Sequence, residues 1–242
     1  MSIPKIRPTP SAAAVPTRRG SGSRGDLPAR PGGQTHYSDP EPASASRPRP
    51  VFLHLPDLDL ELQADRGVFG SRGIDLGTLT LLKEAPPPPD RGHILDLGTG
   101  YGPIAITLAR RSPGAQIWAV DVNQRALELT RANAEAAQAP NVKAVEPEAV
   151  PSAVRFAAIY SNPPVRIGKA AMHELLLRWL PRLEAGCPAY LVVQRNLGSD
   201  SLAAWLATQG FEVTRLKSKK GYRILEVVAG GNAAATAWVS GA

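Results

Sequence analysis

Leu58, Leu60 and Leu62 alternate with Asp57, Asp59 and Glu61, the period-two pattern of a strand with one buried face. With the apolar run VFLHL before Pro56-Asp57, this predicts two short strands within residues 51–67. GIDLGTLTLLKEA (73–85) reads as a short helix, and the four prolines at 86–89 stop it. From residue 93 apolar strand-like runs alternate with helical ones. HILDLG, QIWAVD, NVKAVE, RFAAIYS and AYLVVQ are expected strands. PIAITLARR, NQRALELTRANAEAAQA, KAAMHELLLRWLPRL and SLAAWLATQ are expected helices, the first opening on Pro103, where a missing N–H costs nothing. FEVTRLKS and YRILEVVA then pair across a Lys-Lys-Gly turn. The alternation predicts an α/β fold: a doubly wound, mostly parallel seven-stranded sheet with an antiparallel strand at or near one edge.

Composition divides the chain. Residues 1–50 hold 10 of the 24 prolines, 8 of the 28 Lys and Arg, and only 3 of the 21 Asp and Glu. They therefore carry +5 of the formal net charge of +7, so the high pI belongs mainly to this segment. Poor in large apolar residues, residues 1–35 are expected to be a disordered basic tail, able to touch phosphates but more simply a solvated arm. Residues 36–85 form an N-terminal cap, 90–229 the main domain, and 230–242 a loose tail. The single cysteine, Cys187, excludes a disulfide framework, and the four histidines lack ligand spacing, so no metal is expected. No apolar run approaches a membrane span and no signal-peptide centre is present, so the expected location is the cytoplasm.

DLGTGYGP (96–103) joins a strand to a helix, where a doubly wound fold binds its nucleotide. Gly98 and Gly100 fit the dinucleotide fingerprint, but Gly102 comes one position early and Pro103 takes the last place, which speaks against NAD. No Gly-Lys-Ser/Thr follows, which removes the P-loop. Two carboxylates change the picture. Asp121, at the tip of the second strand of this domain, can accept both hydroxyls of a ribose. Asp96, at the mouth of the glycine turn, suits an ammonium group and would repel a pyrophosphate. The ligand that satisfies both is an adenosine with an amino-acid tail, S-adenosylmethionine.

These segments resemble a class I S-adenosylmethionine-dependent methyltransferase, and in particular the ribosomal RNA small subunit methyltransferase C family, which acts on the exocyclic amine of guanine. The resemblance runs from THYSDP (35–40) to GYRILEV (221–227) and rests on GVFGSRGIDLGTLTLL, DLGTGYGPIAI, VDVNQRALELTRANA and SNPPVRIGK. It implies that Asn162, Pro163 and Pro164 form the catalytic loop. The Asn162 side-chain oxygen and the Pro163 carbonyl would accept the two N–H bonds of the amine, with the two prolines fixing an extended geometry. It also implies a donor site made of Asp96, Gly98, Thr99, Gly100, Gly102, Asp121 and Val122, with Phe69 and Thr78 closing from the cap and Glu148, or Glu146, near the adenine amine.

The sequence departs from the family in two respects. Val165 stands where an aromatic residue usually follows the prolines, so stacking on a base would fall to Arg166, Phe69 or Tyr101. Val165, Arg166 and Lys169 are the expected substrate contacts. The chain also has room for only the catalytic half of the duplicated family architecture. Arg215, Lys217, Lys219, Lys220 and Arg223 around the last hairpin could grip phosphates or merely keep a sheet edge soluble. The expected partner is ribosomal RNA of the small subunit, bound by a monomer. The alternatives are the same chemistry on an adenine, a protein glutamine or a small molecule, or a non-catalytic RNA-binding module.

Overall fold

In the computed structural model, residues 45–70, 72–164 and 167–230 are described; the expected N-terminal tail and all but Gly230 of the expected C-terminal one lie outside them. Two strands, β1 (Arg49–His54) and β2 (Asp59–Ala64), pair antiparallel in a hairpin around Pro56-Asp57. Leu60 and Leu62 point inward and Asp59 and Glu61 outward, as their alternation requires. Helix α1 (Leu76–Glu84) follows, capped by Asp75, whose carboxylate accepts the Gly77 and Thr78 N–H groups. The proline run then leads into β3 (Gly92–Leu97).

The main sheet continues through α2 (Pro103–Arg111), β4 (Ala115–Val120), α3 (Gln124–Ala136), β5 (Val142–Val145), β6 (Ala158–Ser161), α4 (Lys169–Trp179), β7 (Pro188–Gln194) and α5 (Ser199–Thr208). It closes with β8 (Phe211–Lys219) and β9 (Tyr222–Ala229). The order across the sheet is β5-β4-β3-β6-β7-β9-β8. Strands β5, β4, β3, β6 and β7 are mutually parallel, and β9 runs antiparallel between β7 and β8. The antiparallel strand therefore sits one place in from the edge. The seven-stranded doubly wound sheet is the one the alternation predicted.

Two apolar clusters cover the sheet's faces. One joins the hairpin (Leu53, Leu62) and α1 (Leu81) to Ile94, Ile106 and Leu127, so the cap shares its core with the main domain. The other gathers Leu95, Phe156, Trp179 and Leu191 under α4 and α5. Asn133 of α3 ties the hairpin down: its Oδ1 accepts the Gln63 N–H at 2.7 Å, and its Nδ2 donates to the Gln63 and Tyr101 carbonyls at 2.8 Å each. The order reverses between β3 and β6, the crevice where a doubly wound sheet takes a ligand.

Candidate active site

The glycine loop leaves the end of β3 and turns into α2. Gly98, Gly100 and Gly102 all have positive φ (78°, 58° and 91°), which only residues without a Cβ adopt at little cost. At Gly102 space adds to the requirement, since a Cβ there would stand 3.0 Å from Thr130 Cγ2. The loop is laced to its surroundings. The Gly98 and Thr99 N–H groups donate to the Val120 carbonyl, and Thr130 Oγ1 donates to the Gly100 carbonyl.

Asp96 lies beneath this loop, fully buried. Its Oδ2 accepts Thr99 Oγ1–H at 2.7 Å and the Ala105 N–H at 2.9 Å. Its Oδ1 is buried and has no hydrogen-bond partner among the described residues. Burial pushes its pKa up to about 7, against the two hydrogen bonds, and the Asp121 charge adds to the rise. Asp121, just past β4, accepts the Gly100 N–H on Oδ2 at 2.9 Å and the Asn123 N–H on Oδ1 at 3.0 Å. Burial raises its pKa as well, opposed by its backbone hydrogen bonds. A carboxylate offers about four acceptor positions. Backbone N–H groups of Gly100, Asn123 and Val122 act on this one, which leaves room for a further donor.

Asn162 follows β6 directly. Its Nδ2 donates to Asp75 Oδ1 at 2.7 Å and to Thr78 Oγ1 at 3.1 Å. A carboxylate can only accept, so this pairing fixes the amide's orientation and leaves Oδ1 as its outward-reaching group. The Pro164 carbonyl accepts the Ile167 N–H at 3.1 Å.

A mainly apolar cavity of about 220 Å³ joins these parts, and Phe69, Asp75, Gly98, Asp121, Val122, Asn162, Pro163 and Pro164 line it together with Gln194 and Tyr222. Thr99, Gly100 and Gly102 shape the loop behind that wall. Thr78 is buried and reaches Asn162 instead of the cavity. A larger hollow of about 590 Å³ lies between the hairpin turn and the proline run. It holds none of the expected site residues, and Arg111 there is paired with Asp57 at 2.8 Å.

Several expectations are corrected. Glu148 is not brought to the cavity: it stands exposed on a short 3₁₀ turn and pairs with Arg178 at 3.0 Å, while its neighbour Pro147 lines the wall. Tyr101 cannot stack on a ligand, because it is buried in the core under the loop. Lys169 is exposed at the first turn of α4 and is not part of the cavity wall. Val165 and Arg166 lie outside the described residues. Around the last hairpin Lys217 and Lys219 share Glu84, and Arg215 and Arg223 share Asp200, so two carboxylates offset part of that cationic cluster and it stays net positive. Asp75 was not singled out from the sequence; its signal was an Asp three residues before a Thr at a helix start.

Among the described residues no His, Cys, Asp and Glu side chains gather as a metal site would need, and no helix is long and apolar enough to cross a membrane.

The methyltransferase small domain family matches residues 59–226. The chain is 34% identical over 194 residues to the uncharacterized protein YbxB of Bacillus subtilis, covering 96% of that protein and 79% of itself. It is 35% identical over 160 residues to the ribosomal RNA small subunit methyltransferase C of Shewanella amazonensis, of which it spans 45%. Among solved structures, the Thermus thermophilus 16S rRNA N2 G1207 methyltransferase, in complex with AdoMet and guanosine, superposes with a TM-score of 0.61 at 24% identity, covering 77% of this chain and 52% of that one. The chain has the class I methyltransferase fold and belongs to the methyltransferase small domain family.

Proposed function

We propose that this chain is an S-adenosylmethionine-dependent N-methyltransferase whose acceptor is the exocyclic amine of guanine in ribosomal RNA of the small subunit. The residues present fit the donor. Asp121 lines the cavity and, beside its backbone N–H partners, retains acceptor capacity for a ribose hydroxyl. Asp96 is not part of the cavity wall, but its buried Oδ1 is an unpartnered acceptor beneath the glycine loop that a water bound to an ammonium group would satisfy. Val122 and Phe69 supply apolar surface for an adenine. When bound, S-adenosylmethionine supplies an electrophilic methyl group on a sulfonium centre.

The observation that carries the acceptor side is the fixed amide of Asn162. The lone pair of an aromatic amine is delocalised into its ring, which makes the nitrogen a weak nucleophile. Asn162 Oδ1 and the Pro163 carbonyl would accept the two N–H bonds, freeing the nitrogen lone pair to bond the methyl carbon as the carbon–sulfur bond breaks, with one N–H proton then lost to solvent. Because Asp75 and Thr78 hold the amide beforehand, this geometry requires little rearrangement on binding. Neither acceptor needs to be a nucleophile, so the residues act by position and charge.

The cytoplasm is the compartment this substrate implies. The test is mass spectrometry of ribosomal RNA nucleosides from a strain lacking the gene. One N2-methylguanosine should disappear and return on complementation, whereas an unchanged nucleoside profile contradicts the reading.

A further inference from the structure

A base whose amine is to be methylated must leave its stack, and it then needs a flat surface in place of its lost neighbours. Two aromatic side chains, Phe69 and Tyr222, line the cavity. The Phe69 backbone and the Tyr222 ring meet different parts of its surroundings. The Phe69 carbonyl lies 3.7 Å from where a Cβ on Gly100 would stand, so this residue sits beside the glycine loop and Asp121. The Tyr222 ring lies at the amide end: its Cε1 would be 2.7 Å from a Cβ on Gly77. That same Cβ would be 2.9 Å from Asp75 Oδ1, the atom that holds Asn162. Only glycine at position 77 lets the ring come so close to the Asp75–Asn162 pair.

The backbone fixes the ring from the other side. Lys220 and Gly221 both have positive φ (50° and 82°), and they make the tight turn from which β9 starts at Tyr222. The Arg195 N–H donates to the Gly221 carbonyl at 2.8 Å, which ties that turn to the end of β7, where Gln194 pairs with Tyr222. Tyr222 is half-buried and lines the cavity, so it is within reach of a ligand there.

We propose that Tyr222 is the platform on which the acceptor base stacks, so that the exocyclic amine meets Asn162. This rests on the reading that the acceptor is a nucleobase. It assigns the two aromatic side chains separate tasks, Phe69 to the donor and Tyr222 to the acceptor. Burial and the nearby Asp75 raise the phenol's pKa, so the ring stays neutral through the physiological range.

The experiment uses the full chain, tritiated S-adenosylmethionine and ribosomal RNA from a strain lacking the gene. Wild type, Tyr222→Phe, Tyr222→His and Tyr222→Leu are compared for transfer, and donor affinity is measured for each by calorimetry. The Phe variant should keep kcat/KM for RNA within about twofold. The Leu variant should lose about tenfold or more, with the His variant between them and donor affinity within about twofold throughout. Full transfer by the Leu variant, or a parallel loss of donor affinity, overturns the platform. Absence of transfer by the wild type instead overturns the proposed function itself.

Discussion

The Asp75 carboxylate holds the Asn162 amide across 87 positions of sequence, through a 2.7 Å hydrogen bond from Nδ2 to Oδ1. The same oxygen caps α1 by accepting the Gly77 and Thr78 N–H groups. One side chain therefore ends the cap and sets the orientation of the acceptor-side amide. Replacing Asp75 with Ala removes both effects. The helix cap is worth about 1 kcal/mol, which thermal unfolding should register as a modest loss. The turnover number should fall at least tenfold, while donor affinity stays within about threefold. Asp75→Ser keeps the helix cap but is too short to hold the amide, so it should restore stability without restoring turnover, which a purely structural role would not explain.

Asp121 should govern the donor alone. Asp121→Ala removes the remaining acceptor capacity and frees the Gly100 and Asn123 N–H groups. A hydrogen bond to a charged group contributes about 1.5–3 kcal/mol. Calorimetry should therefore show donor affinity falling by about tenfold to a hundredfold. Unchanged donor affinity would place the ribose elsewhere.

Asp96 gives the unliganded protein a characteristic pH response. Its folded pKa is about 7 against 3.8 for the free side chain, so the folded state holds this proton more tightly than the unfolded one. The resulting stabilisation is complete below about pH 4 and is lost as pH rises through about 7. Asp96→Asn removes the titration while keeping an oxygen for the Ala105 N–H. Denaturant unfolding at pH 5 and pH 8 should show the variant gaining stability relative to wild type at the higher pH. A difference that does not change with pH contradicts the assigned burial.

Much of the fold was legible because local pattern and burial agree. PIAITLARR forms α2 over its whole length, with Pro103 as its first residue. RFAAIYS was not so simple: only Ala158–Ser161 join the sheet, because the Phe156 backbone bonds with Arg182 and Glu184 instead. In the site, the glycine loop and Asp121 stood out because strand tips and small residues carry their own local signal. Asp75 did not, since its partner Asn162 is brought to it by the folding of the cap over the sheet. Glu148 was misplaced for the complementary reason: chain position put it near the third parallel strand's tip, but Arg178 of α4 holds its side chain on the surface. The cationic hairpin likewise meets Glu84 and Asp200, residues distant in sequence.

The central claim is that a fixed amide presents a guanine amine for methyl transfer. The most direct measurement incubates ribosomal RNA from a strain lacking the gene with tritiated S-adenosylmethionine and either wild type or Asn162→Ala, then identifies the labelled nucleoside by chromatography. The account predicts label in N2-methylguanosine with wild type, and a loss of at least a hundredfold in the variant while donor affinity is retained. Label in a different nucleoside, or near-normal transfer by Asn162→Ala, would contradict it.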